Sequence, residues 1–84
     1  MSNLTVVKEN FKELPNNIEA EQSVLGSILV SNELFDDINT IISNINFYDP
    51  MHQKIFVAIE SLIYKGMLAN PITLKNYFEN EKDE

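Results

Sequence analysis

His52 is the one histidine in this chain, and no cysteine accompanies it. A nucleophile–base pair needs a Ser, Thr or Cys held against such a base. No spacing here supplies one, so His52 is expected to hydrogen-bond a neighbour or face water. Asp36 and Asp37 form a close carboxylate pair. Adjacent residues on a helix diverge by about 100°, and no third carboxylate or histidine stands at ligand spacing. They read as a solvated face rather than a metal site. Two glycines, Gly26 and Gly66, cannot build a phosphate-cradling loop, and neither GxxxxGK[ST] nor GxGxxG occurs. The aromatic set Phe35, Phe47, Tyr48, Phe56, Tyr64, Tyr77 and Phe78 would stack nucleic-acid bases only beside basic neighbours. Lacking these, it is expected to pack a core. The residues point to binding rather than catalysis, with no catalytic set, no cofactor and no metal expected in this chain.

The charge balance narrows the partners. Thirteen Asp and Glu stand against six basic residues, giving a net charge of −7. All six are lysines, scattered at positions 8, 12, 54, 65, 75 and 82. A phosphate-binding surface needs clustered Lys and Arg, so direct nucleic-acid binding and anionic membranes are both disfavoured. No apolar run approaches the roughly 18 residues that cross a bilayer. The N-terminus, MSNLTVVKENFKEL, lacks the basic start, apolar core and cleavage site of a signal peptide, and the expected location is cytoplasmic. Eighty-four residues make one small domain, of a size that buries only about 60–65% of its unfolded surface. At 44% the hydrophobic fraction is that of a globular chain.

Four helices are expected to position these residues. Residues 1–13 show no sustained period and read as a flexible N-terminal arm. Leu14-Pro15-Asn16-Asn17 reads as a helix entrance, with Asn16 or Asn17 capping and Glu19 and Glu21 at the positive end of the dipole. Ile18, Gln22, Leu25, Ile28 and Leu29, with Val24 beside them, mark the apolar side of that first helix. Ser31-Asn32 ends the run and offers a cap for a second helix over roughly 33–43, carrying Leu34, Phe35, Ile38, Ile41, Ile42 and Ile45. Asp49-Pro50 is the clearest start signal: Asp caps, and proline at the first helical position loses no needed hydrogen bond. The third helix should run from about 50 to 65, with Met51, Ile55, Phe56, Ile59, Leu62 and Ile63 inward. Gly66 follows as a left-handed C-terminal cap. Asn70-Pro71 repeats the cap-then-proline signal for a fourth helix with Ile72, Leu74, Tyr77 and Phe78. Its end, Glu79 to Glu84, is acidic at the negative pole, which disfavours the last turn and reads as the interior of a longer chain. The fold class is all-α, a small orthogonal bundle of about four short helices.

Three stretches carry a resemblance. LPNNIEAEQSVLGSIL, NFYDPMHQKIFVAI and PITLKNY, in this order and spacing, resemble the N-terminal domain of the bacterial replicative DNA helicase family DnaB. They cover residue 14 to about 78. The resemblance implies a helical domain without chemistry of its own. In the family it forms the collar of a hexameric ring, a trimer of dimers, and recruits primase through the primase C-terminal domain. Residues 14–84 would be a partial helicase N-terminal, or collar, domain. In the family a GG-containing segment, a further head helix, a long helical hairpin, a linker and a RecA-like ATPase domain follow. ATP and Mg are expected only in that ATPase domain, which this chain does not contain. The implied partners are primase and other helicase subunits. The competing reading is a standalone small acidic helical regulator that mimics the collar and binds primase or helicase subunits.

Within the longest of these stretches, Glu19 and Gln22 are the candidate partner contacts, set against an ordinary capping and dipole role. Gly26 costs about 1 kcal/mol relative to alanine in mid-helix. It is expected to be a packing glycine that lets the third helix approach closely, with a partner contact as the other reading.

Overall fold

The computed structural model describes residues 17–82. The arm at 1–13, the Leu14–Asn16 approach and the last two acids of the C-terminal run lie outside these residues. The described part is all-helical: α1 (Ile18–Val30), α2 (Leu34–Asn39), a 3-10 turn (Asn44–Asn46), α3 (Pro50–Tyr64) and α4 (Pro71–Lys82). No strand occurs among the described residues.

Local chemistry sets the helix ends. The Asn17 side chain accepts from Ala20 N at 3.0 Å and opens α1. Asp49 accepts from Met51 N at 2.8 Å, with Pro50 at the first helical position of α3. Asn70 accepts from Ile72 N and Thr73 N at 2.9 and 3.0 Å, while Thr73 Oγ1 accepts from Asn70 N at 2.9 Å. This reciprocal pair holds the first turn of α4, which begins at Pro71. At the end of α3, Gly66 takes φ +79°. Gly66 N donates to Ile63 O and Met67 N to Leu62 O, both at 2.9 Å. That pairing is a Schellman ending, which needs the left-handed backbone glycine adopts freely.

The second helix is shorter than its apolar spacing suggests, ending at Asn39 instead of near 43. Thr40 Oγ1 donates to Asp37 O at 2.7 Å, and Thr40 N and Ile41 N take the shorter 3-10 pattern. Side-chain competition for backbone carbonyls of this kind loosens a helix end. Ser43 N then donates to Asn46 Oδ1 at 2.8 Å, holding the 3-10 turn. Neither Ser31 nor Asn32 caps α2; the N-cap is Glu33, without a side-chain bond.

The core is aromatic at its centre. Phe56 of α3 lies 5.5 Å from the Phe35 ring and 5.3 Å from the Phe47 ring, both tilted. Val24, Ile28, Phe35, Ile38, Phe47, Phe56 and Ile59 are essentially inaccessible to solvent. Burying each such side chain contributes about 1.5–3 kcal/mol. Tyr77 and Phe78 are half-buried and pack against this core from α4.

Two polar ties fix α1 against α3. At one end, Glu21 of α1 meets the residues that open α3. At the other, Asn32, just past α1, meets Ala69, just past α3. The two helices therefore run in the same direction, with both N-terminal ends at one end of the molecule.

Candidate functional site

Glu21 is completely buried. Its Oε2 accepts from Tyr48 N, and its Oε1 accepts from Asp49 N at 3.2 Å. His52 Nδ1 donates to the same Oε1 at 2.7 Å. An ionised carboxylate only accepts, so Nδ1 carries the hydrogen in this arrangement. Three N–H donors around one carboxylate meet the need of a buried charged group for partners. The carboxylate also sits at the N-terminal end of α3, where the dipole favours negative charge. Gln53 Nε2 donates to Phe47 O at 2.7 Å, adding a second hold on the same loop. The segment from Phe47 to Met51 is thus locked from both sides, with Phe47 inward and Tyr48 and Met51 exposed.

At the opposite end, Asn32 Nδ2 donates to Ile28 O at 2.8 Å and to Ala69 O at 3.0 Å. Asn32 Oδ1 accepts from Ala69 N at 2.8 Å. The amide thus replaces a missing backbone ladder between the α3–α4 loop and the end of α1. Val30, Met67, Leu68 and Ile72, in the segments joined there, are all exposed.

The expected inner face of α1 needs correction. Ala20, Glu21, Val24, Leu25 and Ile28 point inward, and Ile18 and Gln22 do not. Taking Glu21 inside turns the buried face by about a quarter of the helix circumference from the apolar count. Gly26 is consequently exposed, with no heavy atom within 4 Å of where a Cβ would lie. It is not a packing glycine: neither α3 nor any other described element approaches it. Glu19, Gln22, Ser23, Gly26 and Val30 are all exposed on this helix, and their spacing sets them along one outward stripe. In α3 the corresponding shift brings His52 inside and leaves Met51 out.

The structure brings together residues that local patterning did not. Glu21 and His52 lie 31 positions apart in sequence, and Asn32 and Ala69 lie 37 apart. Glu21 read as a helix-dipole carboxylate and Asn32 as a cap, so their tertiary roles were missed. A signal existed for the first pair: a lone histidine one turn into a capped helix, and a glutamate on the edge of an apolar face. Among the described residues no group of three His, Cys, Asp or Glu could hold a metal ion. No helix among them is long and apolar enough to cross a membrane.

A family model for the DnaB-like helicase N terminal domain matches residues 13–84. The replicative DNA helicase DnaB of Rickettsia typhi is 49% identical over 63 residues, covering 75% of this chain and 13% of that protein. Its counterpart from Rickettsia bellii is 42% identical over 69 residues, covering 82% of this chain and 14% of the relative. That from Buchnera aphidicola subsp. Baizongia pistaciae is 40% identical over 79 residues, covering 94% and 17%. The chain therefore spans less than a fifth of the length of these relatives. No solved structure gives a significant match.

Proposed function

The chain belongs to the family of DnaB-like helicase N-terminal domains, and from that premise we propose that it is a non-catalytic protein-interaction domain of a replicative DNA helicase. In this reading it contributes to assembly of the hexamer collar and recruits the C-terminal domain of primase. ATP hydrolysis, with its Mg ion, belongs to a separate ATPase domain of the full-length helicase.

The family match across residues 13–84 carries this reading. Two features of the chain support it. Large apolar side chains, among them Tyr48, Met51, Val30, Leu68 and Ile72, are exposed around both ends of the α1–α3 pair, and exposed apolar surface is a mark of protein contacts. The −7 charge with scattered lysines turns the domain toward proteins and away from the nucleic-acid backbone. Glu19 and Gln22, on the outward stripe of α1, are the candidate contacts.

A priming assay tests the proposal. In a reaction containing a DnaB helicase and its cognate primase, the 84-residue protein should compete for primase and lower helicase-stimulated primer synthesis. Added primase should restore it. Primer synthesis that stays constant with the 84-residue protein in large excess over primase would refute the recruitment role.

A further inference from the structure

Ile38 to Tyr48 is a run of eleven residues without a charge, in a chain that carries thirteen acids and six lysines. It holds neither glycine nor proline, and β-branched and aromatic residues make up most of it. Such residues favour extended backbone. Short uncharged segments of this composition are the signature of chains that stack as cross-β sheets. The native fold keeps the run out of that arrangement. α2 takes in only Ile38 and Asn39, and the 3-10 turn only Asn44–Asn46. α2 has six residues and no side-chain cap, too short to persist without its packing. The restraint is tertiary: Ile38, Ile42 and Phe47 are buried, Gln53 Nε2 donates to Phe47 O, and Glu21 accepts from Tyr48 N. Ile41 and Ile45 stay outside, Ile45 at 78% exposure. A second uncharged run of equal length, Gln22 to Asn32, contains Gly26 and lies almost wholly in the 13-residue α1. More than three helical turns would have to unravel to free it.

Extended backbone would sort the run by alternation. Ile41, Ser43, Ile45 and Phe47 fall on one face, and Thr40, Ile42, Asn44 and Asn46 on the other. The first face is apolar enough to pack against its like. On the second, the Asn44 and Asn46 amides form ladders only when the same residue lies above and below. That requirement selects an identical segment, so the occupant is a second copy of this chain. The net charge of −7 opposes close approach of two copies, and the run adds nothing to that repulsion. From this arrangement we infer that residues 39–47 are the self-association segment of the chain. When the α2 and 3-10 region opens locally, copies pair through it as extended, in-register strands. The inference goes beyond the collar and primase reading, whose contacts join folded domains.

The test compares the 84-residue protein with Ile45→Lys and Val30→Lys, each held at its own melting midpoint and followed with an amyloid-binding dye. Ile45 and Val30 are 78% and 86% exposed, so both variants fold. Each substitution replaces an exposed apolar residue and adds the same charge, and the two differ in the run they alter. The parent should assemble after a lag into dye-binding sheets. Ile45→Lys should lengthen that lag about tenfold or more, because in-register strands would stack one lysine on the next. Val30→Lys should leave it within about twofold. In the assembled parent, amide hydrogen exchange should be slowest at residues 39–47. Slowest exchange at residues 22–32 would overturn the inference, as would a delay by Val30→Lys equal to that by Ile45→Lys. A parent that forms no dye-binding sheets at its midpoint and high concentration would equally overturn it. Primase is absent from this experiment, so its outcome and that of the priming assay are independent.

Discussion

Replacing Glu21 with alanine would strand the N–H groups of Tyr48 and Asp49 and the imidazole of His52. Unsatisfied buried donors cost about 1–3 kcal/mol each. In a domain this small the expected loss is about 3 kcal/mol or more, read as a lower urea midpoint. A midpoint unchanged by Glu21→Ala would show that the knot does not hold the fold. Gly26 makes the opposite prediction. It is exposed with open space around it, so Gly26→Ala should stabilise by about 0.5–1 kcal/mol and raise the melting temperature by a few degrees. Destabilisation instead would mean that the site is crowded. On the same stripe, Glu19→Lys should leave the melting temperature nearly unchanged and weaken primase binding. Undiminished binding would remove Glu19 from the partner surface. The difference between what was and was not legible is plain at these positions. Asn17, Asp49 and Asn70 bond backbone only two or three residues away, so cap rules find them. Glu21 and Asn32 bond across 27 to 37 residues, and no local period carries that information.

At the scale of elements, the two ties act differently from the apolar core. Hydrophobic packing sets that α1 and α3 lie together. The Glu21 and Asn32 bonds set their direction and register. Asn32→Asp isolates the second tie. It keeps an oxygen for Ala69 N and replaces the donor that faces Ile28 O and Ala69 O, so acceptors would meet acceptors. A loss of about 2 kcal/mol is expected, with amide hydrogen exchange faster around residues 67–74. Exchange that rises uniformly would argue against a local clasp. The helices themselves were readable because α3 and α4 start on cap-then-proline signals, α1 starts on the Asn17 cap, and apolar residues recur at three and four positions. The faces were less readable. Helical spacing placed Ile18, Gln22 and Met51 inward and left Glu21 and His52 out, which turned the assigned faces of α1 and α3. The end of α2 was set by Thr40 and Ser43 chemistry, where apolar residues continue the helical spacing after the backbone has left it.

For the whole molecule, thirteen acids against six lysines, a small aromatic core and large apolar side chains exposed around it are the features on which the domain's proposed interaction role rests. Its family membership sets that domain within the replicative helicases, and the proposed partner is primase. The most direct test is a calorimetric titration of the primase C-terminal domain into the 84-residue protein, repeated with Glu19→Lys. Saturable binding in the micromolar range, weakened by the charge reversal at unchanged melting temperature, is the predicted result. An absence of heat and of any saturable signal with both proteins folded and at high concentration would contradict primase recruitment by this domain.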